Sequence, residues 1–145
     1  MKKYFEYEFN DNVKSKLLCY YNSQEGRNDL DNTEKKVALK VDRISKHIPY
    51  NETDYICDVE CSDGSLLRHI KGRFDRALGL DISEKVIAAD KKLNLQNVSF
   101  DTYDGMNITT EEKFDKVFLM DVLEHAFEPD ILIKSIYNSI RGGGI

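Results

Sequence analysis

The stretch that decides the fold runs from Tyr55 to Ile70, YICDVECSDGSLLRHI. An apolar run, Tyr55–Val59, carries an acid, Asp58, near its end. A short polar loop with one glycine, Gly64, follows. Leu66, Leu67 and Ile70 then recur at helical spacing. Strand, tight loop and helix in that order open a nucleotide-binding α/β unit. Glu60 and Ser62 stand where such loops usually carry glycine, so the stretch announces a ligand site and departs from the usual pattern within it.

Upstream, Asn32 or Thr33 is placed to cap a helix with Val37, Val41, Ile44 and Ile48 on one face, which Pro49 stops. Residues 1–31 are less regular: Phe5, Tyr7 and Phe9 alternate with acids, and a turn-rich NSQEGRNDLDN follows. They read as an arm, placed either as a lid or as packing against the sheet. Residues 32–145 read as the cofactor-binding domain.

Downstream, Arg76–Leu80 is a predicted strand ending in Asp81, and Ser83 caps a helix carrying Val86, Ile87 and Leu93. Val98–Tyr103 is a strand ending near Asp104, and Lys116–Met120 a strand ending at Asp121. Pro129 opens the last helix, whose Leu132, Ile133, Ile136, Tyr137 and Ile140 form one apolar face, and Gly142–Gly144 ends it. Strands alternating with helices predict an α/β fold: a mostly parallel, Rossmann-like sheet with helices on both faces. Ligands in such folds bind at the carboxyl ends of the strands, where Asp58, Asp81, Asp104 and Asp121 are expected to gather.

A chain of 145 residues, 41% hydrophobic and 32% charged, fits one soluble globular domain. A net charge of −5 disfavours broad nucleic-acid binding. No apolar run is long enough to span a bilayer, and the N-terminus lacks the apolar stretch of a secretory signal. Cys19, Cys57 and Cys61 lack the CxxC pairing and histidine spacing of a metal site. They read as reduced thiols of a cytoplasmic protein, with no metal expected.

The acids narrow the ligand. Asp81 lies about 20 residues beyond the first loop, where a carboxylate accepts hydrogen bonds from ribose hydroxyls. Asp104 is placed to accept from an exocyclic amine such as adenine's. The loop has neither GxGxxG nor a Walker lysine, and Asp58, Glu60 and Asp63 would repel a pyrophosphate. A nucleoside carrying a positive group is the better match.

With these residues in view, the chain resembles the class I S-adenosylmethionine-dependent methyltransferases. ICDVECSDG is similar to their first, glycine-rich motif. GLDIS (Gly79–Ser83) resembles the second-strand motif and FDTYDG (Phe100–Gly105) the adenine-contacting segment. FDKVFLMDVLEH (Phe114–His125) is similar to the fourth-strand motif, and IRGGGI resembles the turn before the fifth strand. The resemblance covers about residues 35–145. It implies that Asp58 and the loop with Glu60, Ser62 and Gly64 approach the methionine part, and that Asp81 holds the ribose. It also implies that Ile82 packs on adenine, that Asp104 and Gly105 meet its edge, and that Asp121 and Val122 line the pocket near the sulfonium. S-adenosyl-L-methionine is then the cofactor and a small molecule the methyl acceptor. His125 is the candidate general base, weighed against a structural role with Glu124. His47 and His69 read as helix-end and surface residues.

Two departures from the family pattern follow. Glu60 places a carboxylate beside the cofactor's own; at about 4 Å and an effective dielectric near 20, the repulsion would be on the order of 4 kcal/mol, roughly a thousandfold in affinity. The alternative is therefore a non-catalytic, methyltransferase-like binding or regulatory module. A nicotinamide-dependent oxidoreductase is a third and weaker reading. The sheet also stops after the fourth strand and its following helix. Either a longer protein continues it, or a bare fourth-strand edge pairs with a partner, such as a second copy in a homo-oligomer.

Overall fold

The computed structural model describes residues 30–145, with side chains from residue 35 onward, together with Ser15, Lys16 and Cys19. The expected N-terminal lid lies outside the described residues. Helix α1 (Leu30–Ser45) leads into strand β1 (Tyr55–Val59), helix α2 (Ser65–His69), strand β2 (Arg76–Asp81) and helix α3 (Glu84–Asp90). A 3-10 turn (Lys91–Leu93), strand β3 (Val98–Thr102), strand β4 (Lys116–Leu119) and helix α4 (Pro129–Ser139) complete the order.

The four strands are all parallel, in the spatial order β3-β2-β1-β4. The chain therefore moves outward from β1 to β3, then crosses back to lay β4 on the other side. That reversal puts the switch point between β1 and β4, where such sheets open a crevice.

Period-two alternation sorts the strand residues onto two faces. Ile56, Ala77, Phe100 and Phe118 pack with Val41 of α1, Leu66 and Leu67 of α2, and Ile87 of α3. Cys57, Val59 and Leu80 pack on the opposite face with Phe114 and Leu132 of α4. Both faces are covered, as the alternation of elements predicts.

Helix α1 starts at Leu30, ahead of the expected cap at Asn32 or Thr33, and ends at Ser45, short of Ile48; three further expectations change. Of the apolar residues of α4, only Leu132 is fully buried, while Ile133 and Tyr137 are 48% and 79% exposed. The helix meets the sheet along one narrow stripe, and the five apolar positions span more than that stripe. Leu93 is 41% exposed, because α3 ends at Asp90 and the following 3-10 turn rotates it off the helix face. The edge of β4 is also not bare. The N–H groups of Phe114 and Val117 donate to the carbonyls of Ser139 and Ile145, at 2.9 Å each, and Ile145 N–H donates to Asp115 O at 2.9 Å. The GGG turn thus brings the chain back alongside β4.

Two features lock the sheet. At its amino edge, buried Lys116 places Nζ 2.5 Å from Oδ2 of buried Asp54, which also accepts from Asn51 N–H at 2.8 Å. Burial alone would raise the Asp54 carboxyl, but the Lys116 ammonium and the Asn51 contacts outweigh it and hold the group below its usual range. At the sheet centre, a Cβ at Gly79 would lie 2.5 Å from Phe100 Cδ1 and 3.0 Å from Cys61 Sγ. The Phe100 ring occupies the space a side chain would take and props up the loop above it. Gly79→Ala is expected to cost about 2 kcal/mol through overpacking. Gly142→Ala, with nothing within 4 Å, is the neutral control. Urea unfolding of both checks this, and equal midpoints would refute the role of Phe100.

Candidate functional site

The loop after β1 keeps a glycine-type backbone at two positions that carry no glycine, Glu60 and Ser62. Glu60, Ser62 and Gly64 have φ of 59°, 50° and 67°, all in the left-handed region. For a residue with a Cβ that conformation costs roughly 1–2 kcal/mol. Hydrogen bonds hold it: Cys61 N–H donates to Leu80 O at 2.9 Å, and Gly64 N–H to Cys61 O at 2.9 Å. Ser62 N–H donates to Asp81 Oδ2 at 3.1 Å, while Ser83 N–H donates to Asp81 Oδ1 at 2.8 Å. Asp81 therefore ties the β1 loop to the β2 loop through its carboxylate. Burial pushes that carboxyl up, against the two N–H bonds, which favour the charged form.

Beside it lies a cavity of about 110 Å³ built from all four strand tips. Glu60 enters from β1, Ile82 from β2 and Tyr103 and Gly105 from β3; Asp121, Val122, His125, Ala126 and Phe127 come from the segment after β4. Gly105 has φ 83°, and a Cβ there would lie 2.9 Å from the Phe127 ring and 3.3 Å from Ile82. Its lack of a side chain is what lets Phe127 close on Ile82. The result is a mostly apolar cavity with Glu60 and Asp121 among its lining.

The side chain of Glu60 turns toward this cavity. Its Oε1 accepts from the Tyr103 hydroxyl at 2.6 Å. Burial, then the nearby Asp81 charge, push the Glu60 carboxyl up to about 7, against the lowering effect of the Tyr103 bond. Asp58 is buried and its carboxyl raised well above the usual range by burial, with Asp81, Asp63, Asp90 and Glu60 adding like charge. Asp90, buried at the end of α3, is pushed up to about 7 by burial and by Asp63 and Asp81. Burial also raises the thiols of Cys57 and Cys61, keeping them neutral. The described part of the site thus gathers carboxyls whose ionised forms a cationic ligand would stabilise.

The expected residues separate into groups. Glu60, Ile82, Gly105, Asp121, Val122 and His125 line one cavity. Asp58, Ser62, Gly64 and Asp81 build the adjoining loop and its floor. Asp104 is not among the residues lining that cavity: Oδ1 accepts from Met106 N–H at 2.9 Å and Asn107 N–H at 2.6 Å, and Oδ2 accepts from Asn107 Nδ2 at 2.8 Å. It shapes the turn that presents Gly105. Asp121, with φ 56°, is ion-paired to Lys40 of α1. Sequence reasoning missed Tyr103 and Phe127. Tyr103 sits directly before Asp104, at the tip of a strand already aimed at the site. Phe127 had no local signal, because its place depends on Gly105, far away in sequence.

A methyltransferase domain model matches residues 57–145. The chain belongs to the methyltransferase domain family. The family's cofactor is S-adenosylmethionine. Among relatives of this methyltransferase domain, pavine N-methyltransferase of Thalictrum flavum subsp. glaucum is 30% identical over 96 residues, 62% of this chain and 27% of that protein. Ubiquinone biosynthesis O-methyltransferase of Acinetobacter baumannii is 25% identical over 95 residues, 61% of this chain and 40% of that protein. The fold matches the DhpI–SAH complex with a TM-score of 0.75 at 22% identity, over 94% of this chain and 68% of that one. The methyltransferase domain described here thus spans well under half the length of these curated relatives.

The residues present fit S-adenosylmethionine. A carboxylate fixed by two N–H bonds stands beside a mostly apolar cavity, and the carboxyls around it suit a ligand that carries positive charge. No described helix is long and apolar enough to cross a membrane.

Proposed function

We propose that this domain binds S-adenosylmethionine for methyl transfer to a small-molecule acceptor in the cytoplasm. The observation that carries the reading is Asp81: a buried carboxylate at the tip of β2, oriented by Ser62 N–H and Ser83 N–H, next to the slot of Ile82, Val122 and Phe127. Each carboxylate oxygen keeps accepting capacity after its N–H bond, which suits ribose hydroxyls. Ile82 and Val122 are assigned to the faces of the adenine ring, with Phe127 closing the slot. Asp104 acts through the backbone it holds, presenting Gly105 to the ring's edge.

The cofactor supplies a methyl group on a positively charged sulfur, so the chain's task is to position and desolvate. Asp58 and the loop 60–64 provide the floor beside the ribose. Asp121, steadied by Lys40, and Val122 border the acceptor side. His125 is assigned to receive a proton from the acceptor. The names of the relatives, a pavine N-methyltransferase and a ubiquinone biosynthesis O-methyltransferase, support a small organic acceptor.

Thermal unfolding with S-adenosylmethionine, S-adenosylhomocysteine, NAD+ or no ligand tests the reading. A ligand present at a hundred times its Kd stabilises by about 2.7 kcal/mol. The two adenosyl ligands are expected to raise Tm and NAD+ to leave it unchanged. Stabilisation by NAD+ alone, or by nothing, would refute the proposal.

A further inference from the structure

Glu60 differs from Asp81, Asp104 and Asp121 in its commitments. Asp81 is held by two N–H groups, Asp104 by its own turn, and Asp121 by Lys40. Glu60 has the Tyr103 hydroxyl on one oxygen, and its second oxygen makes no hydrogen bond among the described residues. The Tyr103 bond holds the side chain at the cavity it lines. The groups around it come from every strand tip: Asp58 from β1, Asp81 from β2, Tyr103 and Asp104 after β3, and Asp121 and His125 after β4. Among the described residues, Lys40 is engaged with Asp121 and Arg68 with Asp63.

We infer that Glu60 is a charge-selecting residue of the donor site: its carboxylate favours an adenosyl ligand bearing a sulfonium over the neutral thioether that remains once the methyl group has gone. The inference rests on the donor reading above. The two ligands share the adenosine, the amino group and the carboxylate, and they differ by one methyl and one positive charge. Any effect of Glu60 on the shared groups cancels in the ratio of their affinities, whereas its attraction for the sulfonium does not. The device assists product release, since the species formed is the one the ionised site holds less well. It also ties that preference to pH. A group titrating near 7 is about a tenth ionised at pH 6 and about nine-tenths ionised at pH 8, which bounds the change in preference at roughly tenfold.

Calorimetric titration of the chain with S-adenosylmethionine and with S-adenosylhomocysteine, at pH 6 and pH 8, tests this. For the native chain the preference for the sulfonium ligand is expected to rise by up to about tenfold between the two pH values. In Glu60→Gln it is expected to be lower and flat, which separates Glu60 from the other carboxyls raised by burial, Asp58, Asp81 and Asp90. Tyr103→Phe removes a bond that favours the ionised carboxylate, so the rise should move to higher pH. A native preference that does not change with pH, or a Glu60→Gln variant that follows the native curve, would overturn the inference while leaving the donor reading intact. Failure of both ligands to bind the native chain and Glu60→Gln at either pH would overturn the donor reading, and the inference with it.

Discussion

Lys116→Met is expected to unfold the domain more readily than any other single change at the sheet's amino edge. The substitution removes the ammonium that faces Asp54 at 2.5 Å and leaves a buried carboxylate without its counter-ion. Breaking a buried pair from one side costs about 3–5 kcal/mol, most of it the penalty of the abandoned charge. Asp54→Asn/Lys116→Met, which removes both charges, should recover most of the loss. Urea unfolding of the single and double variants checks this; a double variant no more stable than Lys116→Met would refute it. The pair also sets part of the acid response. Because the folded Asp54 pKa lies below its unfolded value, near 3.9, its contribution is complete above that value and is lost as pH falls through the folded value. Asp54→Asn should therefore flatten the acid limb of the stability curve.

Asp81→Ala is expected to have the largest effect on ligand binding. Hydrogen bonds to a charged acceptor contribute about 1.5–3 kcal/mol each when their loss leaves a partner unmatched. Losing those to the ribose should weaken adenosyl-ligand binding by about 3 kcal/mol, roughly a hundredfold in Kd. The variant also frees Ser62 N–H and Ser83 N–H, so the two loops lose the group that ties them. Asp81→Asn, which keeps one acceptor oxygen, should fall between. Calorimetry with S-adenosylhomocysteine provides the test. Affinity of Asp81→Ala within threefold of the native chain would show that the carboxylate does not meet the ligand.

The sheet was legible because its signals are local. Tyr55–Val59, Arg76–Asp81 and Lys116–Leu119 are short apolar runs ending at acids, and the structure puts them where that pattern predicts. Ser83 caps α3 as expected, accepting from Val86 N–H at 3.4 Å, and Pro129 opens α4. What sequence did not reveal is set by contacts between distant residues. Asp81 and Asp104 both lie at strand ends, yet Asp104 serves its own turn and Asp81 bridges two loops. The alternation of residues shows that an acid ends a strand; it does not show which donors will meet the acid there. Phe127 enters the cavity only because Gly105 leaves room for it. The repulsion expected of Glu60 assumed a fully charged carboxylate facing the cofactor's own. In the structure that group is bonded to Tyr103 and its burial favours the protonated form, so the penalty depends on pH.

The backbone of the 60–64 loop has an evolutionary consequence. Glu60 and Ser62 already occupy φ values that glycine adopts without strain. Glutamate and glycine codons differ at a single base, as do the AGC and AGT serine codons from those of glycine. The glycine pattern is therefore one base change away at Glu60, and at Ser62 where its codon is AGC or AGT, on a backbone that already suits glycine. The loop can trade a charged side chain for an open one, and return, without passing through a misfolded ancestor.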